Sequence, residues 1–455
     1  MEELKNRSKF SGKIGFVLAA AGSAVGLGNL WRFPYLAAKY GGGIFLLVYI
    51  VLAITFGFAL MIAEIALGRK TGLSVSAAYK KLNRKWAFLG YISAAVPIII
   101  LPYYSVIGGW VTKYIDTYVS GQSAAAADAN YFSNFISQTW QPIIWFGIFV
   151  LATALVVFFG VEKGIERVSK VMMPILVVLS IGIAIFVITR PGSSAGLKYY
   201  FVPDFSQLSS KTVLAAIGQL FYSMSLAMGI MITYGSYMKK DVDLEKSVHQ
   251  IEIFDTGFAL IAGLMIVPGV AVFSGSVENL NASGPGLMFQ VLPQVFHNMP
   301  GGHIIGGLFF ILVLFAALTS SISLMETVVS IFQDRTKLKR KTLVVLVAVG
   351  TFLVGLLSSL GFGVLSFIQP LGEGTSLLDF FDFISNSVIM PIVALLTCIF
   401  VGYVIKTKTI SEEVRLSSRF REEKLFVVMI KYIAPIGLVL ILVSSVLNGL
   451  GIVKI

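Results

Sequence analysis

The chain has 455 residues, 56% of them hydrophobic and only 13% charged. A soluble domain carries about 25% charged residues to cover its surface, so a soluble enzyme is almost excluded. The net charge of +12 would suggest nucleic acid on a soluble chain; on a membrane chain it predicts basic loops gathered on one side.

A membrane helix needs about 20 apolar residues. Eleven stretches meet this: 14–38, 42–68, 87–112, 142–159, 165–189, 213–238, 247–273, 302–332, 342–360, 380–405 and 426–450. They are called the first to eleventh spans below. Strand-like alternation does not dominate them, so a β-barrel is not expected. The polar segment Met1–Lys13, with Arg32 after the first apolar stretch, predicts no cleavable leader. With the N-terminus inside, 28 of the 35 lysines and arginines fall in inner connections and 6 in outer ones, while Arg32 lies at membrane depth. That split orients the chain, and eleven spans put the C-terminus outside. The outer connection at about 274–301, with NLNASGPG and HNMPGG, is expected to form a small cap. No linker separates soluble domains, so residues 1–455 are expected to form one membrane domain.

The first span reads AAAGSAVGLGNLWRFP from Ala19 to Pro34. Glycine and polar residues interrupt it where a membrane helix should be continuous. The third span carries Tyr103 and Tyr104 after Pro102, towards its middle, which favours a pocket wall over an interfacial aromatic belt. The sixth span, IGQLFYSMSLAMGIMITYGSY from Ile217 to Tyr237, is interrupted like the first. Irregular backbone at membrane depth survives only where it is buried or lines a cavity. The two interruptions lie five spans apart. Five is odd, so equivalent spans run in opposite directions, the pattern of an inverted-repeat secondary transporter. Free helix N-termini there would face an anionic substrate group, and freed carbonyls a cation.

In the eighth span, FAALTSSISLME (Phe315–Glu326) places Thr319, Ser320 and Ser321 in a row. Such hydroxyls often bond their own helix; beside a broken first span they also suit an oxygen-only sodium site. Arg32, Glu64, Glu252, Asp255 and Glu326 are the charges at membrane depth, where a charge is functional by default. Glu64 and Glu252 are read as structural. Arg32 and Asp382 are placed to meet as a gate. The single cysteine, Cys398, reads as packing, and His249, His297 and His303 read as loop or surface residues. A channel would need a continuous polar lining, and an intramembrane enzyme a nucleophile–base pair or an HExxH motif; neither pattern is present.

Four segments carry a resemblance: GSAVGLGNLWRFP at 22–34, KGIERVSKVMMP at 163–174, GQLFYSMSL at 218–226 and FAALTSS at 315–321. They are similar to the neurotransmitter:sodium symporter family, in particular to its bacterial amino-acid transporters, over nearly the whole chain. The resemblance implies an all-α polytopic fold. Residues 14–189 and 213–405 would be the two inverted repeats, broken in the first and sixth helices, and 426–450 an additional helix. Relatives often have a twelfth span, which lies outside the repeats.

The resemblance also implies roles. The substrate carboxylate would meet the N–H groups of Leu27 and Gly28 and the hydroxyl of Tyr104. The amino group would meet the carbonyls of Ala24, Tyr222 and Ser223 and the hydroxyl of Ser225. Ile100, Tyr104, Tyr222, Met228, Ser320 and Leu324 would line the side-chain pocket. A first sodium would sit on Ala24, Asn29, Ser223 and Asp255 together with the substrate carboxylate, and a second on Gly22, Val25, Ala316, Thr319 and Ser320. Arg32 with Asp382, under Tyr104 and Tyr222, would form the outer gate. Arg7 with Asp334, near Tyr237, would form the inner one, with Phe10 in place of the usual Trp. Gly164 and Pro174 would let the fifth helix unwind.

The implied function is sodium-coupled import of a neutral, hydrophobic amino acid across the plasma membrane. It would involve two Na+ ions, no organic cofactor and no nucleic acid, and its partners would be the amino acid and the lipid bilayer. Asp255 stands where Asn is common. Ionised, it would replace the charge that relatives take from chloride, predicting chloride independence; protonated, it would instead donate a hydrogen bond. Ala227 stands where Gly is common; its methyl would narrow the pocket, while the adaptable Met228 works the other way, leaving the net size preference open.

Overall fold

In a computed structural model the chain is described over residues 9–274 and 285–449. With no water inside a bilayer, each crossing segment must satisfy its own backbone, and helices do so locally. Among the described residues the elements are helical, apart from one isolated bridge between Gly42 and Pro203. Among the described residues nine helices are long and apolar enough to cross a membrane: Gly43–Thr71, Arg84–Val119, Trp140–Phe158, Val161–Ile188, Leu244–Val272, Gly302–Gln333, Arg340–Leu360, Leu377–Val404 and Glu423–Leu447. The first span is a bent pair, Lys13–Ala24 and Gly28–Lys39, inclined at 52°. The sixth is two shorter pieces, Ser210–Ser223 and Ile230–Tyr237, separated by six non-helical residues.

Burial sorts the spans into an inner and an outer set. The third span is 78% buried over its apolar window, against 33% for the fourth and eleventh. It packs against the fourth, eighth and ninth spans, and the first half-helix packs against the fifth, seventh and eighth. The fourth, fifth, ninth and eleventh spans turn Leu151, Val178, Leu353 and Ile436 outward. On a soluble protein such apolar faces would be a liability; facing lipid they are the expected surface.

Two connections depart from simple loops. Residues 275–284 of the expected cap lie outside the described residues. Beyond them, Leu287–Val291 and Leu292–His297 are helical, with Leu287, Met288 and Phe289 buried. Tyr114 donates to the Phe289 carbonyl at 2.6 Å, and the Phe289 ring meets Trp110, Phe132 and Phe310. This part of the connection is therefore a plug driven into the bundle. His249, read as a loop or surface residue, lies partly exposed in the helix Leu244–Ser274. It stacks on Phe58 at 4.8 Å, with Nδ1 3.0 Å from Glu252. Cys398 is buried, as read.

Candidate transport site

The first break begins where Val25 turns extended (ψ 97°) while its N–H still closes the last turn onto the Ala21 carbonyl. The chain becomes helical again at Gly28. The break therefore exposes carbonyls at the end of one half-helix and N–H groups at the start of the next, none with an intrahelical partner. Asn29 braces the gap: its Oδ1 accepts from the Gly26 N–H at 3.0 Å.

The sixth break is held differently. Ser225, Ala227 and Gly229 all take left-handed backbone, with φ of 53°, 60° and 72°. For the two non-glycine residues this costs roughly 1–2 kcal/mol each. Glu64 from the second span reaches in and accepts the Ala227 N–H at 2.7 Å. Ser225 donates to the Ser23 carbonyl at 2.9 Å, joining the two breaks directly. Ser320 donates to the same carbonyl at 3.1 Å, which brings in the eighth span.

Between the breaks lies a cavity of about 30 Å³. Its lining includes Ala24, Leu27, Gly28, Ile100, Tyr104, Tyr222, Ser225, Met228, Ser320 and Leu324. Of the eleven residues assigned to substrate from sequence, only Ser223 is missing from that wall. Ser23, Gly26, Asn29 and Ile230 complete it; Ser23 and Ile230 carried no sequence signal beyond their neighbourhood. Close approach explains two glycines. A methyl on Gly26 would sit 2.7 Å from Ser320 Oγ, and one on Gly28 would strike the Tyr222 ring. Among the described residues the buried Tyr104 hydroxyl makes no hydrogen bond of full geometry, with Ser320 and the Leu27 N–H beside it, so a ligand acceptor there would complete its bonding. Ala227 is buried but does not line the cavity. Its methyl therefore acts on backbone conformation, and the expected narrowing of the pocket is not seen.

Ser223 is instead part of a polar knot beside the cavity. Its hydroxyl donates to Asp255 Oδ1 at 2.7 Å, and Asn29 Nδ2 donates to the same oxygen at 2.8 Å. Tyr49 donates to Asp255 Oδ2 at 3.3 Å. Asn29, Ser223 and Asp255 are buried, and Ala24, also buried, ends the first half-helix across the break from Asn29. The second predicted ion set also converges. A methyl on Gly22 would be 3.3 Å from Thr319 Cβ and 3.3 Å from Met173 Sδ. The first, fifth and eighth spans therefore touch beside Val25 and Ala316, both fully buried. The Thr319 hydroxyl bonds its own helix, at Phe315 and Ala316. Among the described residues no three of His, Cys, Asp and Glu cluster as metal ligands. A cation here would be held by carbonyl, hydroxyl and amide oxygens with one carboxylate.

The two ends of the bundle differ. On the Arg32 side a vestibule of about 560 Å³ opens, walled by Arg32, Tyr222, Asp382 and Asn386 among others. Arg32 lies 5.3 Å from the Tyr222 ring centre. No ion pair joins it to Asp382 among the described residues. Asp382 accepts instead from Tyr103 at 3.1 Å and from Asn386 at 2.6 Å.

The opposite end, where the basic loops gather, is closed. Arg7 lies outside the described residues, and Asp334 accepts the Ser74 N–H at 2.6 Å. The closure there is made by Tyr237, which donates to Glu326 at 2.7 Å, and by Arg340, which donates to the same carboxylate at 2.9 Å. Phe10 is buried edge-on against Phe16, Tyr234 and Tyr237. Glu326 stands out in the sequence as a charge at membrane depth, but nothing in the sequence singles out Arg340 among the neighbouring basic residues. The fifth span is helical throughout, starting with a wider turn over Val161–Glu166 that contains Gly164 and continuing past Pro174.

Comparisons with known proteins agree with this geometry. A sequence model of the Sodium:neurotransmitter symporter family matches residues 7–134 and 135–451. An uncharacterized sodium-dependent transporter of Bacillus subtilis is 36% identical over 453 residues, spanning 98% of each chain. The sodium- and chloride-dependent taurine transporter of Homo sapiens is 28% identical over 367 residues, 69% of this chain and 58% of its own. Among solved structures, MhsT in complex with L-phenylalanine superposes with a TM-score of 0.87 at 38% identity, covering 97% of this chain and all of MhsT.

Proposed function

The chain belongs to the sodium:neurotransmitter symporter family, and from that premise we propose that it imports a neutral, hydrophobic amino acid together with sodium, without chloride. It is a sodium-dependent, multi-pass membrane transporter of a small molecule and not an enzyme. The observation that carries the finer reading is the cavity wall, where both breaks meet around the buried Tyr104 hydroxyl and no charged side chain takes part. A carboxylate there would accept from Tyr104 and from the helix-start N–H groups at Leu27 and Gly28. The amino group would meet the Ala24, Tyr222 and Ser223 carbonyls and the Ser225 hydroxyl. Ile100, Met228 and Leu324 leave only apolar contacts for the side chain. MhsT, whose structure holds L-phenylalanine, is consistent with such a substrate.

Two sodium ions would bind as co-substrates. The first would take Ala24, Asn29, Ser223 and Asp255 together with the substrate carboxylate. That shared group makes each ligand improve the site of the other, a reciprocal coupling. The second would take the Gly22, Val25 and Ala316 carbonyls with Thr319 and Ser320. In this reading residues 14–189 and 213–405 are the two repeats, and 426–450 an added helix. The basic face is cytoplasmic and the C-terminus outside. Arg32, Asp382, Tyr104 and Tyr222 gate the outer side; Arg7, Asp334 and Tyr237 gate the inner side. Loosening between Gly164 and Pro174 would open the second ion site to the cytoplasm.

The test is uptake into proteoliposomes. Concentrative uptake of leucine or phenylalanine is expected to require an inward sodium gradient and to be unchanged when gluconate replaces chloride. Asp255→Asn is expected to cut chloride-free uptake at least about tenfold, the scale of one charge-assisted contact (~1.5–3 kcal/mol). Chloride-dependent uptake by the unaltered protein would overturn the assignment of Asp255.

A further inference from the structure

A second cavity lies outside the transport path. The third, eighth and ninth spans enclose a groove of about 320 Å³, within the size range of small-ligand sites. Its walls are apolar: Ile98 and Pro102 from the third span, Val328 and Phe332 from the eighth, Leu346 and Gly350 from the ninth. The two polar residues on it are spent or recessed. Thr336 donates to the Phe332 carbonyl at 2.9 Å, and Thr351 is buried. Ile98, Phe332 and Leu346 are exposed, so the groove opens sideways, where the bilayer would lie. Such a groove suits an alkyl chain.

What stands at the end of the groove narrows the choice. Leu338 lines it and belongs to the connection before the helix Arg340–Leu360; this connection and the first turn of that helix carry Arg335, Lys337, Lys339, Arg340 and Lys341. Three of these cations are committed. Arg335 lies 4.1 Å over the Tyr91 ring and donates to the Ser76 carbonyl, Arg340 pairs with Glu326, and Lys341 lies 5.1 Å over Phe158. Lys337 and Lys339 are exposed on either side of Leu338, and neither forms an ion pair among the described residues. Tyr91 is half exposed beside Arg335, as aromatic residues are at headgroup level. An apolar trough beginning at headgroup depth below two uncommitted lysines matches one ligand chemistry, an alkyl chain with an anionic head.

We propose that this groove binds an anionic phospholipid from the leaflet at the basic face, one acyl chain between the third, eighth and ninth spans and its phosphate on Lys337 and Lys339. The bound chain fills space beside Val328 and Phe332, on the same helix as Glu326, and beside Pro102, next to Tyr103 and Tyr104. It thereby props the helices that carry both the closed end and the cavity wall.

The experiment is native mass spectrometry of the full chain in detergent, titrated with phosphatidylglycerol or phosphatidylcholine. Two lysines near an anionic group, at about 1 kcal/mol each, predict a roughly thirtyfold preference for phosphatidylglycerol. Gly350 lines the groove and a methyl built on it meets nothing within 4 Å, so Gly350→Phe, which places a ring at the groove wall, is expected to weaken phosphatidylglycerol binding at least about tenfold. The double variant K337Q/K339Q leaves the groove intact and is expected to bind both lipids equally. Equal binding of the two lipids by the unaltered protein would overturn the proposal. So would a lipid preference that survives in K337Q/K339Q. A dimer lost in Gly350→Phe with lipid binding unchanged would assign the groove to a second copy of the chain and also overturn it.

Discussion

The first and sixth spans are both broken at the same depth, yet the two breaks are built from opposite materials. The first is glycine-rich, takes no left-handed residue and is braced from within by Asn29. The sixth holds Ser225 and Ala227 in left-handed backbone and is braced from outside by a carboxylate, Glu64. The first break is limited by space: a methyl on Gly26 or Gly28 runs into Ser320 or Tyr222. The sixth is limited by conformation and by one buried hydrogen bond. A relaxed break can exchange its carbonyls between ligands, whereas a strained one persists only while its partner stays in place.

Removing that partner should have the largest effect. Glu64→Ala leaves the Ala227 N–H buried and unpaired, costing about 1–3 kcal/mol. It is expected to lower the melting temperature and abolish sodium-dependent uptake, while Glu64→Gln, which keeps an acceptor oxygen, retains a measurable fraction. Wild-type uptake by Glu64→Ala would mean that the sixth break holds itself. Next in size, Gly28→Ala forces a methyl into the Tyr222 ring, an overpacking cost of about 1–3 kcal/mol. A KM raised at least about fivefold is expected, with less effect on thermal stability than Glu64→Ala. The smallest change should come from Ala227→Gly. Relief of left-handed strain (~1–2 kcal/mol) is offset by the freer unfolded chain (~0.4–1 kcal/mol). Stability by chemical denaturation should rise by about 1 kcal/mol or less, with substrate preference unchanged. A shift toward larger amino acids would show that the methyl reaches the cavity after all.

The same contrast explains what the sequence made legible. The first break is written locally: Gly22, Gly26, Gly28 and Asn29 stand within one stretch. The polar run Thr319–Ser321 announces its partner. Charge at membrane depth singled out Asp255, and family motifs supplied most of the cavity wall. What stayed hidden is held by single contacts across space. Glu64 accepts from a residue 163 positions away, and nothing near it in sequence names that partner. Arg340 is one of five neighbouring basic residues. The resemblance gave Tyr104 to the pocket, but only the fold shows that its neighbour Tyr103 turns to Asp382. The resemblance named Ser223 for both the substrate and the first sodium, and the fold adds that its hydroxyl turns to Asp255.

The size of the central cavity has one more consequence. At about 30 Å³ it has room for a water or two, far less than an amino acid fills. In this arrangement an amino acid enters as the walls move apart, and that movement is subtracted from the affinity. Selectivity then depends less on a preformed outline than on how cheaply each neighbour can be displaced. Met228 is the unbranched and adaptable wall, while Tyr222 is held between the Gly28 backbone and Arg32. Substrates that press on the yielding side should be accepted over a wide range of shapes, and those that press on the tyrosine should be refused.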